Sequence, residues 1–423
     1  MARILYNFFL YLVFPLFVLR MMIRSLKMPG YRRRFLERFG ILDTTIFRDR
    51  NIIWIHAASV GEVFVATPLI ESLLIQYPKF NLVVTTTTPT SSDLISKAFG
   101  DSVFHVYAPW DLPGSVSRFL NNVRPKLLVL IERELWPNMI YQTHGIGCDI
   151  MLVNARLSER SASHYARFSS LASSMLTSLN IVVCQSEGDA RRFTMLGLSP
   201  KKIIVTGNIK FDLQVSTSLE AETNQFREFN DLSSRFVIAA ASTHPGEEEI
   251  ILESFARIKK KNESSILILA PRHIERCDDI SNACSSKNWQ VIRCSEKIPT
   301  TKEHDILLVD TMGDLLKLIG VANVAIVGGS FIPHGGHNML EAAVWGVPII
   351  TGPYTRNFDE IAKLLVSSGA MLQIQPELLS SSLSKLMEDK EISSRMSNAG
   401  KRLMKSNRGS KEKTLNLIAD FLD

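Results

Sequence analysis

Residues 324–351 read VAIVGGSFIPHGGHNMLEAAVWGVPIIT. The apolar run Val324 to Val327 feeds a Gly-Gly pair and a loop containing Pro333. Gly335 and Gly336 then open a segment with helical spacing, and Gly346-Val347-Pro348 closes it before Ile349 and Ile350. Strand, glycine loop, helix, strand is the geometry in which backbone N–H groups and a helix N-terminus receive an anion. Glycine suits it because a Cβ would block close approach of the backbone. Alone, the stretch implies α/β architecture and an anionic ligand.

The alternation extends in both directions. Apolar, β-branched runs recur at 51–58, 81–88, 103–107, 126–131, 149–153, 181–184 and 202–206, with helical spacing between them. The polar stretch 212–234 interrupts the series, which restarts at 236–240, 266–270, 290–293, 306–309, 324–327 and 347–351. Parallel sheets with helices on both faces are expected from such alternation. A chain of 423 residues exceeds what one core usually serves. We therefore expect two doubly wound domains, 31–211 and 235–423, joined by a linker at 212–234 and facing across a cleft. Residues 1–30 stand apart.

Ile4 to Leu19 is almost wholly apolar, broken by Asn7 and Pro15. At ~1.5 Å per residue it reaches about 24 Å, short of a ~30 Å hydrocarbon core unless it runs on past Arg20. A cleaved signal peptide is disfavoured, because the charge follows the apolar run and no small-residue cleavage site does. A single span, an interfacial anchor rich in aromatics and a buried core helix stay open. Seven Lys and Arg between Arg20 and Arg38 face only Glu37, and such clusters favour anionic lipid or nucleic acid. The net charge is +6 overall, and five scattered cysteines without a C-x-x-C pair fit a reducing compartment.

Polar residues gather where strands end. Glu62 falls in the first turn of a helix after a buried strand. With Ser59 it has capping-box spacing, but a carboxylate aimed into a cleft can also take a proton from a hydroxyl. Glu132, Glu134 and Lys210 follow other strands, and a lone cation there suits developing negative charge. In the second half, Arg272 offers a planar fork for phosphate. Glu341 follows Asn338 by three residues, a pair that could hold two ribose hydroxyls. His334 and His337 are three apart with no third ligand evident in sequence, so no metal site is expected. Neither a P-loop nor a G-x-G-x-x-G follows the first strand, which weakens ATPase and dehydrogenase readings.

Taken together, IHAASVGEV (55–63), IERELWPN (131–138), GNIKFD (207–212), APRH (270–273), DTMGDL (310–315) and the 328–353 stretch resemble the 3-deoxy-D-manno-octulosonic acid (Kdo) transferases of lipopolysaccharide biosynthesis. The resemblance covers nearly the whole chain. It implies a GT-B fold of two Rossmann-like domains, the first binding the acceptor and the second the CMP-sugar. It also implies a membrane anchor at the cytoplasmic leaflet of a Gram-negative inner membrane. CMP-Kdo would be the donor and a lipid A precursor (lipid IVA) the acceptor, with no cofactor, metal or nucleic acid. Glu62 would be the general base of an inverting displacement, with Glu132 and Lys210 stabilising the transition state. Pro271, Arg272, Met312, Gly313, Asp314, Asn338, Met339, Leu340 and Glu341 would bind CMP. Asp314 departs from the glutamate common at that place in the family. Two other classes fit the residues less well: a nucleotide-sugar epimerase, which needs no lipid acceptor, and a non-catalytic membrane-attached nucleotide-sugar sensor.

Overall fold

Apolar runs at every second or third element become parallel strands in the computed structural model, which describes residues 2–43, 47 and 51–422. The chain divides into two units, 1–212 with 408–423 and 213–407. The first holds β1 (Asn51–His56), β2 (Phe80–Thr86), β3 (Phe104–Tyr107), β4 (Leu127–Ile131), β5 (Asp149–Ala155), β6 (Ile181–Cys184) and β7 (Ile203–Val205). They form one seven-stranded sheet in the order β3-β2-β1-β4-β5-β6-β7. Its strands are buried on both faces: Ile52 and Trp54 of β1 pack into one core, Ile53 and Ile55 into the other. That two-sided burial explains why these strands read as continuous apolar runs instead of alternating ones.

The second unit repeats the plan with β8 (Val237–Thr243), β9 (Ile266–Pro271), β10 (Val291–Arg293), β11 (Ile306–Leu308), β12 (Val324–Val327), β13 (Ile349–Thr351) and β14 (Met371–Gln373). Their order is β10-β11-β9-β8-β12-β13-β14. The strand order reverses direction between β8 and β12, which is where ligands of such sheets collect, beyond the carboxyl ends of the strands. Strand β14 is absent from the sequence reading; three residues long, it has too short a pattern to register.

Two boundaries differ from expectation. The stretch read as a linker contains a helix, Thr217–Phe229, in which only Thr223 is buried. Arg227 of that helix donates to the Gly320 carbonyl at 3.0 Å, tying it to the second unit. A helix that buries so little side chain looks like linker in sequence. The last helix, Ser410–Leu422, was expected in the second domain but buries Leu415, Ile418 and Leu422 in the core of the first.

Helix Ala2–Lys27 runs unbroken through Pro15. One stripe of it is docked on the first unit. The Tyr6 hydroxyl donates to Asp111 at 2.8 Å, Asn138 donates to the Asn7 side chain at 2.7 Å, and Arg3 lies 3.5 Å above the Tyr141 ring. Phe14 packs edge-on to Trp110, and Met21 and Ser25 are buried. The other faces leave Phe8, Phe9, Leu12, Leu16 and Ile23 exposed. Residues 2–26 are long and apolar enough to cross a membrane by length and composition.

Candidate active site

In the first unit, the end of β1 and the first turn of helix Val60–Gln76 place Glu62 beyond the carboxyl end of that interior strand, only 6% exposed. Its carboxylate accepts from the Ala58 N–H at 2.7 Å, the Ser59 N–H at 3.4 Å and the Ser59 hydroxyl at 3.1 Å. Glu62 thus caps its own helix, and the same position sets it beside two other carboxylates. Burial first, then the negative charges of Glu134 and Glu132, push its pKa up to about 8 against the pull of its hydrogen bonds. At Gly61 an added Cβ would find only the Ser59 hydroxyl, 4.0 Å away. The protein's own packing does not demand glycine there.

Glu132 follows β4 with φ 58°, a left-handed conformation that costs a non-glycine residue on the order of 1 kcal/mol. Its backbone N–H is held by the Val153 carbonyl at 2.9 Å, and its carboxylate takes a 2.7 Å bond from Lys210. The turn carrying Lys210 is positioned by amides. Asn154, itself at φ 54°, accepts from the Ile209 N–H and donates to Asn208, which in turn donates to Gln185 at 3.0 Å. Asn208 lies in the GNIKFD motif, whereas Gln185 carries no motif that would mark it in sequence.

Glu134 accepts from the Trp136 indole at 2.8 Å, and its carboxylate lies 3.6 Å from His56 Nε2. Burial would raise Glu134, but His56 and Trp136 outweigh it and hold the carboxylate below its usual range. Thr85 accepts from the Trp54 indole at 2.9 Å and meets His56 Nδ1 at 2.8 Å. With the Thr85 proton directed to Nδ1, Nε2 carries the hydrogen that faces Glu134. The first unit therefore presents the carboxylates of Glu62, Glu132 and Glu134 together with the Lys210 ammonium. Glu62 holds its proton more tightly than Glu134, which is kept ionised.

The second unit overturns part of the opening reading. The backbone N–H groups of the glycine loop do receive an anion, and that anion is Glu247 of the protein itself. Its carboxylate, fully buried, accepts from Gly329 at 2.6 Å, Ser330 at 3.0 Å, Phe331 at 2.9 Å and the His244 N–H at 3.0 Å. Gly328 is required because a Cβ there would stand 2.4 Å from the Ser242 carbonyl. The helix expected to open at Gly335 and Gly336 starts only at Leu340 and ends at Trp345. Both glycines instead turn the loop at φ 114° and 76°.

Among the expected nucleotide residues, Arg272 is exposed at the end of β9. Asn338 donates to Glu341 at 3.1 Å, and Glu341 is raised by burial against the pull of Asn338 and Arg272. Asp314 has both oxygens engaged, one by Thr311 at 2.7 Å and one by Lys317 at 2.8 Å. Met339, Leu340 and Pro271 are buried, so the first two can offer a ligand only their main chain. Gly313, at φ 98°, shapes the turn, and Met312 is 61% exposed. The third imidazole missing from the sequence reading is His244. Its Nε2 meets His337 Nε2 at 2.7 Å, its ring stacks on His334 at 4.0 Å, and the three have ligand atoms within 4.8 Å of one another.

Residues 33–213 match a family model described as 3-deoxy-D-manno-octulosonic-acid transferase (kdotransferase). The 3-deoxy-D-manno-octulosonic acid transferase of Haemophilus influenzae is 37% identical over 425 residues, covering 100% of this chain and 99% of the relative. That of Rickettsia bellii is 34% identical over 371 residues, 88% of this chain and 87% of the relative. Among solved structures, the UDP-GlcNAc 2-epimerase of Neisseria meningitidis bound to UDP-GlcNAc superposes with a TM-score of 0.60 at 13% identity, over 88% of this chain and 100% of that one. The last likeness shows the two-domain α/β fold alone.

Proposed function

The chain belongs to the 3-deoxy-D-manno-octulosonic acid transferase family, and from that premise we propose that Glu62 is the base through which it moves Kdo from CMP-Kdo to a lipid A precursor. It is a glycosyltransferase, and family membership sets the epimerase reading aside. In the proposed step Glu62 takes the proton of an acceptor hydroxyl, and that oxygen attacks the anomeric carbon of Kdo. The bond from that carbon to the phosphate oxygen breaks, and CMP leaves with the electron pair. One displacement inverts the anomeric centre. A departing monophosphate carries less charge than a diphosphate, so the reaction proceeds without a metal. Lys210, aligned by Glu132, offsets the negative charge that develops.

The observation that carries this reading is the buried placement of Glu62 beside Glu134 and Glu132, which pushes its pKa up to about 8. A base works best when its pKa lies near the pH at which it operates. On the second unit, Arg272 suits the phosphate of the nucleotide, and Asn338 with Glu341 suits its ribose. The docked helix Ala2–Lys27, apolar on its free faces and followed by Arg32, Arg33 and Arg34, attaches the enzyme to the cytoplasmic leaflet of the inner membrane, where a lipid acceptor lies.

Purified protein incubated with CMP-Kdo and a tetraacyl lipid A precursor is expected to release CMP and yield a Kdo-bearing lipid of increased mass. Folded protein that releases no CMP would reject the reading. Glu62→Gln is expected to bind CMP-Kdo and fail to turn over, which separates catalysis from a non-catalytic sensor.

A further inference from the structure

His244, His334 and His337 stand over the junction of β8 and β12, where the strand order reverses. We propose that these three imidazoles form the subsite for the carboxylate of the transferred ulosonic acid, beside the residues that hold the nucleotide; this rests on the donor reading above.

Position along the sheet is the first argument. The carboxyl ends run β11, β9, β8, β12 in space. They present in turn the 312–314 turn, Arg272, His244 and the loop with His334 and His337. With the phosphate at Arg272 and the ribose at Asn338 and Glu341, the imidazoles lie between the nucleotide's two contacts, beside the phosphate that carries the sugar. Kdo differs from the sugars of most nucleotide donors in carrying a carboxylate, and the site must recognise it.

Charge is the second argument. Arg272 and His273 both face His244 and His337 and act on their proton affinity. Burial first, then these neighbours and the other imidazoles, lower His244 to about 4 and His337 to about 3. A carboxylate brought among them adds a negative charge that opposes the neighbours' contribution and favours a proton on the pair. The Glu247 carboxylate already occupies the N–H groups of the glycine loop, so those donors are not available to a substrate anion. The imidazoles take over that task.

A metal is the other ligand such a trio suggests, and the geometry is against it. Two nitrogens bound tetrahedrally at ~2.1 Å stand about 3.4 Å apart, whereas His244 Nε2 and His337 Nε2 face each other at 2.7 Å, a hydrogen bond sharing one proton.

The test compares two ligands that differ by the sugar. Affinities for CMP and for CMP-Kdo are measured by calorimetry or competition on the full chain, wild type against His334→Gln and His337→Gln. His334 is exposed, so its variant should fold as the wild type does. The expected result is a CMP affinity within about twofold of wild type and a CMP-Kdo affinity reduced about tenfold or more, one charge-assisted bond being lost. Equal loss for both ligands would assign the trio to the phosphate and overturn the proposal. No loss for either would overturn it too. A CMP-Kdo affinity restored by added zinc or abolished by a chelator would make the trio a metal site instead. A wild-type protein that binds CMP but not CMP-Kdo would sink the donor reading itself.

Discussion

The carboxylate of Glu247 and the backbone N–H of Gly329 lie 2.6 Å apart in the core of the second unit. This one bond, with its three companions on Ser330, Phe331 and His244, decides what the glycine loop is. Glycine-rich loops after a strand present N–H groups to an anion, and here the first residue of the helix after β8, Glu247–Lys261, supplies it. The loop that carries His334 and His337 is thus held by the protein's own carboxylate.

Glu247→Ala leaves four N–H donors without their acceptor. Each unsatisfied buried donor costs roughly 1–3 kcal/mol, and the losses are not additive. We expect unfolding free energy to fall by at least about 3 kcal/mol in urea titration, with Glu247→Gln intermediate because the amide keeps one acceptor oxygen. Wild-type stability in the Ala variant would mean that the loop satisfies its donors some other way.

The proton affinity of Glu62 predicts two opposite shifts. Glu134 raises it and the Ser59 hydroxyl lowers it. The acidic limb of the kcat/KM profile, expected near pH 8, should move down in Glu134→Gln and up in Ser59→Ala. Movement of both in one direction would remove Glu62 from the role of base.

Stability carries the same signature with its own sign. A carboxylate whose folded pKa exceeds its unfolded one binds more protons folded than unfolded between the two values. Stability therefore falls as pH rises from about 4.5 to about 8. Glu62→Gln does not ionise, so its melting temperature should gain on wild type across that window, by a few degrees at pH 8. Its turnover should drop about 10²- to 10⁴-fold.

How much of this was legible depended on what the residues had to bury. Strand β1 and its neighbours announced themselves because both faces are covered. The carboxylates and Lys210 stood out because charged groups at strand ends are expensive without a purpose. Glu247 did not, since in sequence it is one of three consecutive glutamates opening a helix, and only the fold shows that it turns inward. His244 did not, since its partnership with His337 spans 93 residues and left no local trace. Helix Thr217–Phe229 was hidden by its polarity.

The ion pair of Lys210 and Glu132 is mostly shielded from water, with side-chain exposures of 17% and 8%. Removing one partner of such a pair strands the other. Lys210→Met should lower turnover about 10²- to 10³-fold, as loss of one preorganised charge does, and Glu132→Gln should lower it less. If the two act as a unit, the double variant will be no worse than Lys210→Met alone. Independent, multiplying losses in this cycle would show that Glu132 has a task beyond aligning the ammonium.

Helix Ala2–Lys27 makes a final separable prediction, because its two sides do different things. Tyr6 and Asn7 fasten it to the first unit through Asp111 and Asn138, while Phe8 and Leu12 face outward. Phe8→Asp with Leu12→Asp should weaken binding to vesicles containing anionic phospholipid by about tenfold or more, and leave the thermal midpoint near wild type. Tyr6→Phe should do the reverse, lowering the midpoint through the loss of a buried carboxylate's partner and leaving vesicle binding unchanged. Since the docked stripe runs from Arg3 to Ser25, the helix is expected to lie along the bilayer surface with its domain. A protease that cleaves near Ala2 only from the side of the bilayer opposite the enzyme would show instead that it crosses.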